Sequence, residues 1–220
     1  MSRVAAALAA LALLLGPLAP GATAQPAAPL TREEALADIK KPDVETRRRA
    51  AAWMGEVGRM ADAPVLLRAL SDDDEVVRVL AEHSIWKVWS RSGDAEADSL
   101  LQIGIEQMSR GDGAAAVETF TKIIERKPEF AEAWNKRATV YFLMGEHEKS
   151  LKDCDEVMKR NPSHFGALAG YGQIYLRLDQ PERALEYFRR ALRINPNLRG
   201  VAEMIPQLEQ LLTERRKGTI

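Results

Sequence analysis

The sequence predicts an all-α fold, a right-handed α-solenoid of helical hairpins, and three observations lead to this prediction. Prolines recur 34 residues apart at Pro128, Pro162 and Pro196, and a fixed period of this length is typical of stacked helix pairs. A second period, of 31 residues, occupies the region before them. Leu, Ala, Glu and Arg dominate the 220 residues while β-branched residues are thinly spread, a composition that favours helix over strand.

The N-terminus has the pattern of a targeting segment. Arg3 precedes an uninterrupted small apolar run from Ala5 to Leu15, and Ala22-Thr23-Ala24 has the small residues that a signal peptidase accepts. The run is shorter than the ~20 residues that cross a bilayer. We therefore expect a signal peptide at residues 1–24, cleaved after Ala24, then a flexible leader at 25–30. The mature protein would be periplasmic or secreted and have no membrane span. The alternative is a buried N-terminal helix.

The 31-residue period predicts two helical units between residues 31 and 92. Arg47 and Ala50 return 31 positions later as Arg78 and Ala81. Each unit has the pattern of a short helix, a turn that opens with Pro-Asp or Asp-Asp-Asp, and a longer helix. Arg78 ends the sequence Asp-Asp-Glu-Val-Val-Arg, which resembles a HEAT-type repeat. That resemblance implies that Arg47 and Arg78 tie neighbouring units together.

The 34-residue period alternates small and large side chains at fixed positions. One position holds only small residues, namely Gly104, Ala138 and Gly172. Sixteen residues further along each unit, the sequence has Phe120, Cys154 and Phe188. Small residues allow two helices to approach closely, so this alternation predicts hairpins packed face to face, with Cys154 in the core.

The region 97–198 resembles the tetratricopeptide repeat family. In the second unit the residues that carry the resemblance are Trp134, Tyr141 and Pro162; in the third they are Tyr171-Gly172, Tyr175, Ala184, Phe188 and Pro196. The resemblance implies three units followed by a C-terminal solvating helix at 199–213, in which Pro206 predicts a kink or a restart.

The stretch from Trp86 to Pro196 is also similar to signal-bearing tetratricopeptide proteins of proteobacteria. The residues that carry this similarity are Ile85-Trp86-Lys87-Val88-Trp89, Phe130–Ala138 and His164–Leu168. The similarity implies export but no defined molecular activity. Trp86 and Trp89 lie on one helical face, and we expect them to join the two repeat regions.

Catalytic chemistry has little support in the sequence. His83, His147 and His164 lie far apart, without a second ligand at helical spacing, and no phosphate-binding loop or nucleophile motif is present. The 31 basic and 32 acidic side chains nearly balance, with a formal net charge of −1, which argues against a nucleic-acid binder. We predict no enzyme activity, no cofactor and no metal site.

The tetratricopeptide resemblance implies a concave groove lined by the first helix of each unit. Its expected lining is Leu101, Ile105, Met108, Asn135, Thr139, Phe142, Gln173 and Arg177. Chaperone-binding members of the family hold a carboxylate there with Lys, Asn and Arg. This sequence departs from that pattern, because Leu101 and Ile105 replace the Lys and Asn, and Gly166 and Gly170 replace a basic pair.

An apolar groove of this kind favours an amphipathic helix or an extended apolar peptide as ligand. Alternatively, the preceding HEAT-like helices cover Leu101 and Ile105. The sequence therefore predicts an exported adaptor or scaffold for an unidentified protein or peptide.

A second hypothesis is a self-associating envelope protein that forms a homo-oligomer through Leu208, Leu211 and Leu212. A third, an enzyme or small-ligand carrier, would need a pocket with convergent polar groups. No motif in the sequence indicates such a pocket.

Overall fold

The computed structural model describes residues 28–218, so the expected signal peptide and residues 25–27 of the leader lie outside the described part. That part is built from α-helices and one short 3-10 helix and contains no strand. The α-helices are α1 (Arg32–Asp38), α2 (Val44–Val57), α3 (Ala63–Ala69), α4 (Glu75–Trp89), α5 (Ala95–Ser109), α6 (Gly113–Arg126), α7 (Ala131–Leu143), α8 (His147–Arg160), α9 (Phe165–Arg177), α10 (Pro181–Ile194) and α11 (Arg199–Gly218). The predicted all-α solenoid of helical hairpins is confirmed.

Residues 28–92 form two hairpins, α1–α2 and α3–α4, which we call the N-terminal block. Each hairpin has a short helix followed by a longer one, as the sequence predicts. Thr31 and Glu34 have the spacing of a capping box. Accordingly the Thr31 hydroxyl accepts from the Glu34 amide at 3.2 Å, while the Glu34 carboxylate accepts from the Thr31 amide at 2.8 Å.

The end of the expected flexible leader packs against this block. Leu30 is only 8% exposed and belongs to the core of the block, while the Ala28 carbonyl accepts a hydrogen bond from Arg49. Residues 28–30 are therefore part of the fold, because an apolar side chain at position 30 is buried against helices that follow it.

An arginine in each hairpin of the block ties it to the next element. Arg47 forms a two-point ion pair with Asp72, at 2.8 and 2.9 Å, and donates to the Pro42 carbonyl at 2.7 Å. Arg78, one period later, donates to the Asp72 carbonyl at 2.8 Å and to Asn197 Oδ1 at 3.1 Å. Both arginines therefore hold packed elements together, Arg47 between the two hairpins of the block and Arg78 between the block and Asn197.

Three further hairpins, α5–α6, α7–α8 and α9–α10, form the repeat array. Their inner turns require positive φ at one position each. Gly111 and Gly145 adopt φ +79°, and Asp179 adopts φ 55° at the corresponding place in the third hairpin. Glycine adopts this left-handed conformation without a Cβ penalty, and Asp tolerates it better than most side chains.

The C-terminal helix α11 is longer than the sequence predicts. It runs to Gly218 instead of residue 213, and it continues through Pro206 without a restart. Leu208 and Leu212, at 5% and 6% exposed, pack into the core of the second and third hairpins. Pro206 has no amide hydrogen to donate to the preceding turn. The packing of Leu208 and Leu212 keeps the helix continuous despite this missing hydrogen bond. None of the described helices is both long and apolar enough to cross a membrane.

The N-terminal block contacts the third hairpin of the array. The Trp86 ring lies 5.2 Å from that of Phe165, centroid to centroid, and the Trp89 ring stacks on His164 at 4.5 Å. The prediction that these two tryptophans join the repeat regions is confirmed by these contacts. Phe165 is fully buried within the core of the N-terminal block, so the two regions share one hydrophobic interface.

Polar contacts reinforce this interface. Asn197, after α10, donates from Nδ2 to the Leu70 carbonyl at 2.8 Å and accepts from Arg78. Arg199 and Glu75 form an ion pair at 2.6 Å nearby. Asn197 therefore accepts a single hydrogen bond from Arg78, whereas Asp72 holds Arg47 by a two-point ion pair.

Candidate functional site

Helices α7 and α9 form an open groove of about 190 Å³. It contains four of the eight predicted lining residues, namely Asn135, Thr139, Phe142 and Gln173. The two helices stand side by side because each is the first helix of its hairpin, and one period separates their equivalent positions. Four of the predicted residues thus line this groove and the other four do not, and their role in binding stays a prediction.

The walls of the groove are mostly apolar, because two of its polar side chains are engaged within the protein. Asn135 is 9% exposed and donates from Nδ2 to Glu132 at 3.1 Å. The Thr139 hydroxyl donates to the Asn135 carbonyl one turn earlier, at 2.9 Å. Phe142, Ile174 and two alanines, Ala138 and Ala167, add apolar surface. Gln173 is the exposed polar residue of the lining, and its Nε2 donates to Met204 Sδ at 3.6 Å.

Small residues create the space. Cys154, on the floor of the groove, stands where the first and third hairpins have Phe. Gly170 leaves the α9 wall without a side chain, and a Cβ built there would meet only Cys154 Sγ, at 3.9 Å. Sequence reasoning treated Gly170 only as a missing basic residue. Two glycines four residues apart, Gly166 and Gly170, are the signal that could have indicated an open helix face.

Trp86 of the N-terminal block packs against Gly166, one of the residues that line the groove. A Cβ at Gly166 would lie 2.5 Å from Trp86 Cη2, so only glycine permits this contact. Lys136 Nζ lies 5.9 Å from the centre of the Trp86 ring, within cation–π range. The absence of a side chain at Gly166 therefore serves the docking of the block as well as the shape of the groove.

A buried polar cluster lies beside the groove, next to Asn135. Glu132 is 1% exposed and lies 3.0 Å from His164 Nε2 and 3.0 Å from Lys136 Nζ. His164 Nδ1 accepts from the Ala167 amide at 3.0 Å, so Nε2 carries the proton that is donated to Glu132. Burial opposes ionisation of Glu132, but the hydrogen bond from His164 and the nearby Lys136 charge outweigh it and hold the pKa below its ordinary value.

Burial disfavours ionisation of the thiol on the groove floor. Burial, with smaller contributions from Asp153 and Asp155, raises the pKa of Cys154 to about 12. The thiolate is the nucleophilic form, and it is scarce at neutral pH. Cys154 therefore contributes volume and an apolar surface, as expected from its place in the repeat.

The predicted residues of the first hairpin lie outside this groove. Leu101 has no exposed surface and packs in a core formed by α5, α6 and α7, so its assignment to the groove is wrong. The alternative, cover by the N-terminal block, is also wrong, since Leu101 belongs to a different core from the block. Ile105 and Met108 are half-buried at the edge of the same core.

Arg177 is exposed at the rim of the groove. Its guanidinium carbon lies 6.0 Å from the centre of the Phe142 ring, a residue that lines the groove. Arg177 is thus the one cation among the eight predicted lining residues, and it lies at the entrance of the groove instead of on its floor.

Comparison with known proteins supports the repeat assignment. Residues 129–197 match the family model described as tetratricopeptide repeat. A TPR repeat-containing protein of Rhizobium etli is 34% identical over 128 residues, covering 58% of this chain and 63% of that protein. Hsp70-Hsp90 organizing protein 1 of Glycine max is 25% identical over 122 residues, 56% of this chain and 21% of that protein. Residues 129–197 are thus similar to tetratricopeptide repeats, and the chain spans less than two thirds of the length of these relatives.

Solved structures share the fold of the repeat array. The first TPR of Spaghetti (RPAP3), bound to an HSP90 peptide, has a TM-score of 0.52 at 23% identity, covering 55% of this chain and 96% of that one. The TPR domain of Sgt2 from Aspergillus fumigatus has a TM-score of 0.54 at 19% identity, with coverages of 58% and 85%. The MamA protein has a TM-score of 0.51 at 16% identity and covers 73% of this chain and 88% of its own.

Proposed function

We propose that this protein is an exported, non-catalytic adaptor that binds a segment of a partner protein in the groove between α7 and α9. The observation that supports this is the groove itself, open at the surface, apolar along its walls and widened by Gly170 and Cys154. Tetratricopeptide domains are interaction modules, and one of the same fold carries a bound peptide. The pattern of Ala5–Leu15 and Ala22–Ala24 supports export to the periplasm or beyond.

The lining favours an apolar ligand, either one face of an amphipathic helix or an extended peptide. Asn135 and Thr139 direct their hydrogen bonds to protein groups, so they offer few donors to a ligand. Arg177 offers a positive charge at the rim, beside Phe142. A ligand with apolar residues in the groove and an acidic residue at Arg177 would match both features.

Filling the groove tests the proposal directly. In Gly170→Leu the new side chain would extend into the groove, and its Cβ would make only an ordinary contact with Cys154. Leu is also a better helix former than Gly, so the fold should be retained. Immobilised wild-type protein should capture a partner from an envelope extract, and Gly170→Leu should lose it.

Gly200→Leu is the matched control. Gly200 is an exposed helical glycine with no atom within 4 Å of a Cβ, so the same substitution there changes surface hydrophobicity but not the groove. We expect it to capture the partner like the wild type. Equal capture by Gly170→Leu would place binding elsewhere and overturn the groove assignment.

Self-association through α11 is the second candidate. Of the three leucines that suggest it, only Leu211 is exposed, at 37%, while Leu208 and Leu212 pack inside the chain. This arrangement leaves α11 with little apolar surface for a second copy. A mass that rises with concentration in analytical ultracentrifugation, and is reduced by Leu211→Glu, would favour this candidate over the adaptor.

A further inference from the structure

His164 is a titratable residue buried where the N-terminal block meets the repeat array. It has no exposed surface, and its ring stacks on that of Trp89 of the block, 4.5 Å away centroid to centroid. One period earlier and one period later along the chain, the same position holds Phe130 and Leu198. Apolar side chains occupy this position in the neighbouring units, so a histidine here adds a group that can gain a proton.

Both ring nitrogens of His164 are engaged in the neutral form. Nδ1 accepts from the Ala167 amide at 3.0 Å and thereby caps α9, while Nε2 donates to Glu132 Oε2 at 3.0 Å. A neutral imidazole takes up its second proton on the nitrogen that lacks one, which here is Nδ1. A protonated Nδ1 cannot accept from the Ala167 amide, so protonation removes the cap and brings two N–H groups face to face.

The surroundings of the ring oppose a positive charge in the docked state. Desolvation disfavours the charged form of a fully buried imidazole, and the N-terminus of α9 repels a cation. The Glu132 carboxylate favours the charge, but it already has Lys136 Nζ at 3.0 Å and a hydrogen bond from Asn135 Nδ2 at 3.1 Å. The charged residues that line the adjacent cavity balance one another, namely Arg91, Arg160, Glu129 and Glu132. Burial and loss of the cap therefore decide the sign.

We propose that His164 is a pH-sensitive switch that releases the N-terminal block from the repeat array when Nδ1 gains a proton. Phe165, the next residue, is fully buried in the core of the block, so loss of the cap on α9 also weakens this contact. The stabilisation of the docked state is fully present above ~6.5, where an unfolded histidine titrates, and is lost as the pH falls below that value. The switch acts on docking of the block and does not depend on peptide binding in the groove.

Hydrogen exchange of the full chain at pH 7.5 and pH 5.5, followed by mass spectrometry, tests the proposal. Labelling times are adjusted for the pH dependence of intrinsic exchange. Protection of α4 and of the start of α9 should fall by up to about tenfold at pH 5.5, because the released state takes up one more proton over the one pH unit below ~6.5. Protection of α5 and α6 should be unchanged. Equal protection of α4 and α9 at the two pH values would overturn the proposal.

Two substitutions identify the titrating group. His164→Asn keeps an oxygen that can cap α9 but cannot titrate, so the pH dependence of protection should disappear. Glu132→Gln keeps an acceptor for His164 Nε2 but has no carboxylate, so the pH dependence should remain. The opposite result, with the dependence lost in Glu132→Gln and retained in His164→Asn, would assign the effect to Glu132 and overturn the proposal.

His83→Asn is the matched control. His83 lies exposed on α4, so the same substitution there removes a titrating group outside the buried contact and should leave the pH dependence as in the wild type. Loss of the dependence in this control would contradict the assignment to His164. Nuclear magnetic resonance of the ¹⁵N-labelled wild type gives a test that needs no variant. An imidazolium signal from His164 at pH 5.5, in protein whose α4 and α9 remain fully protected, would also overturn the proposal.

Discussion

Within each hairpin of the array, the sizes of two facing side chains compensate for each other. A Cβ at Gly104 would lie 2.4 Å from Phe120, and one at Gly172 would lie 2.3 Å from Phe188. In the middle hairpin Ala138 has a Cβ, and the residue sixteen positions later is the smaller Cys154. Glycine with phenylalanine and alanine with cysteine are therefore two solutions to one packing problem. The second solution leaves the space that becomes the groove.

Alanine substitutions at two glycines of α9 distinguish the effect of tight packing on the free energy of unfolding from the effect of helix propensity. Gly172→Ala should lower the free energy of unfolding by roughly 1–2 kcal/mol, because overpacking against Phe188 outweighs the ~1 kcal/mol gained in helix propensity. Gly170→Ala, two residues away, should raise it by up to ~1 kcal/mol, because its Cβ meets only Cys154 at 3.9 Å. Urea denaturation followed by circular dichroism measures both. The same sign for the two variants would contradict this account of the packing.

The residue types in the sequence predicted which side chains pack together better than they predicted which side chains are exposed. The register of Gly104 and Phe120 could be predicted because it repeats at a fixed spacing along the chain. The burial of Leu101 could not, since it depends on Phe130 and Ala133 of the following hairpin, which share its core. Asn135 and Thr139 lie in the groove as predicted because α7 has the same neighbours as in the repeat pattern.

Single carboxylates join helices within and between hairpins. Asp94 caps α5, accepting from the Glu96 and Ala97 amides at 3.0 Å each, and also pairs with Arg126 at the end of α6 at 3.0 Å. The hydrogen bond from Arg126, together with those from the two amides, lowers the pKa of Asp94 to about 2. The charged form of Asp94 thus stabilises the α5–α6 hairpin.

The sign of the pH dependence follows from this lowered pKa. An unfolded Asp titrates near ~4, so the stabilisation by Asp94 is fully present above that pH and is lost as the pH falls towards 2. The melting temperature of the wild type should therefore drop between pH 5 and pH 2. Asp94→Asn keeps a capping oxygen but no charge, so it should melt lower at neutral pH and lose less on acidification. If the melting temperatures of the wild type and Asp94→Asn fell in parallel as the pH is lowered, Asp94 would not contribute to the pH dependence of stability.

The sequence predicted where helices begin more accurately than where they end. Start signals were local and reliable, as at Thr31, where the capping box has the expected hydrogen bonds. The end of α11 was misplaced by five residues, because nothing after residue 213 shows that the helix continues to Gly218. Pro206 did not interrupt α11, since Leu208 and Leu212 anchor the following turns in the core.

Closure of the chain onto itself distinguishes the whole molecule from an open array. In a simple solenoid each repeat contacts only its neighbours. Here Asn197 bonds Leu70 and Arg78, and Phe165 packs in the core of the N-terminal block. No periodicity encodes such contacts, because they join residues more than seventy positions apart, so the sequence could identify Trp86 as a linking residue but not its partners. The closure also forms a cavity of about 230 Å³ between Trp89 of the block and Phe130 of the array.

Closure should make the block and the array unfold together. Trp86→Ala removes the ring that packs on Phe165 and Gly166. Because Trp86 is only half-buried, we expect the free energy of unfolding to fall by roughly 2–4 kcal/mol, at or below the usual cost of deleting a large aromatic side chain. Hydrogen exchange followed by mass spectrometry should then show faster exchange in α4 and at the start of α9 together, with α5 and α6 unchanged. Val79→Ala, on the same helix but 60% exposed, controls for a substitution in α4. Faster exchange confined to α4, or spread evenly over the chain, would show that the two regions are not coupled through Trp86.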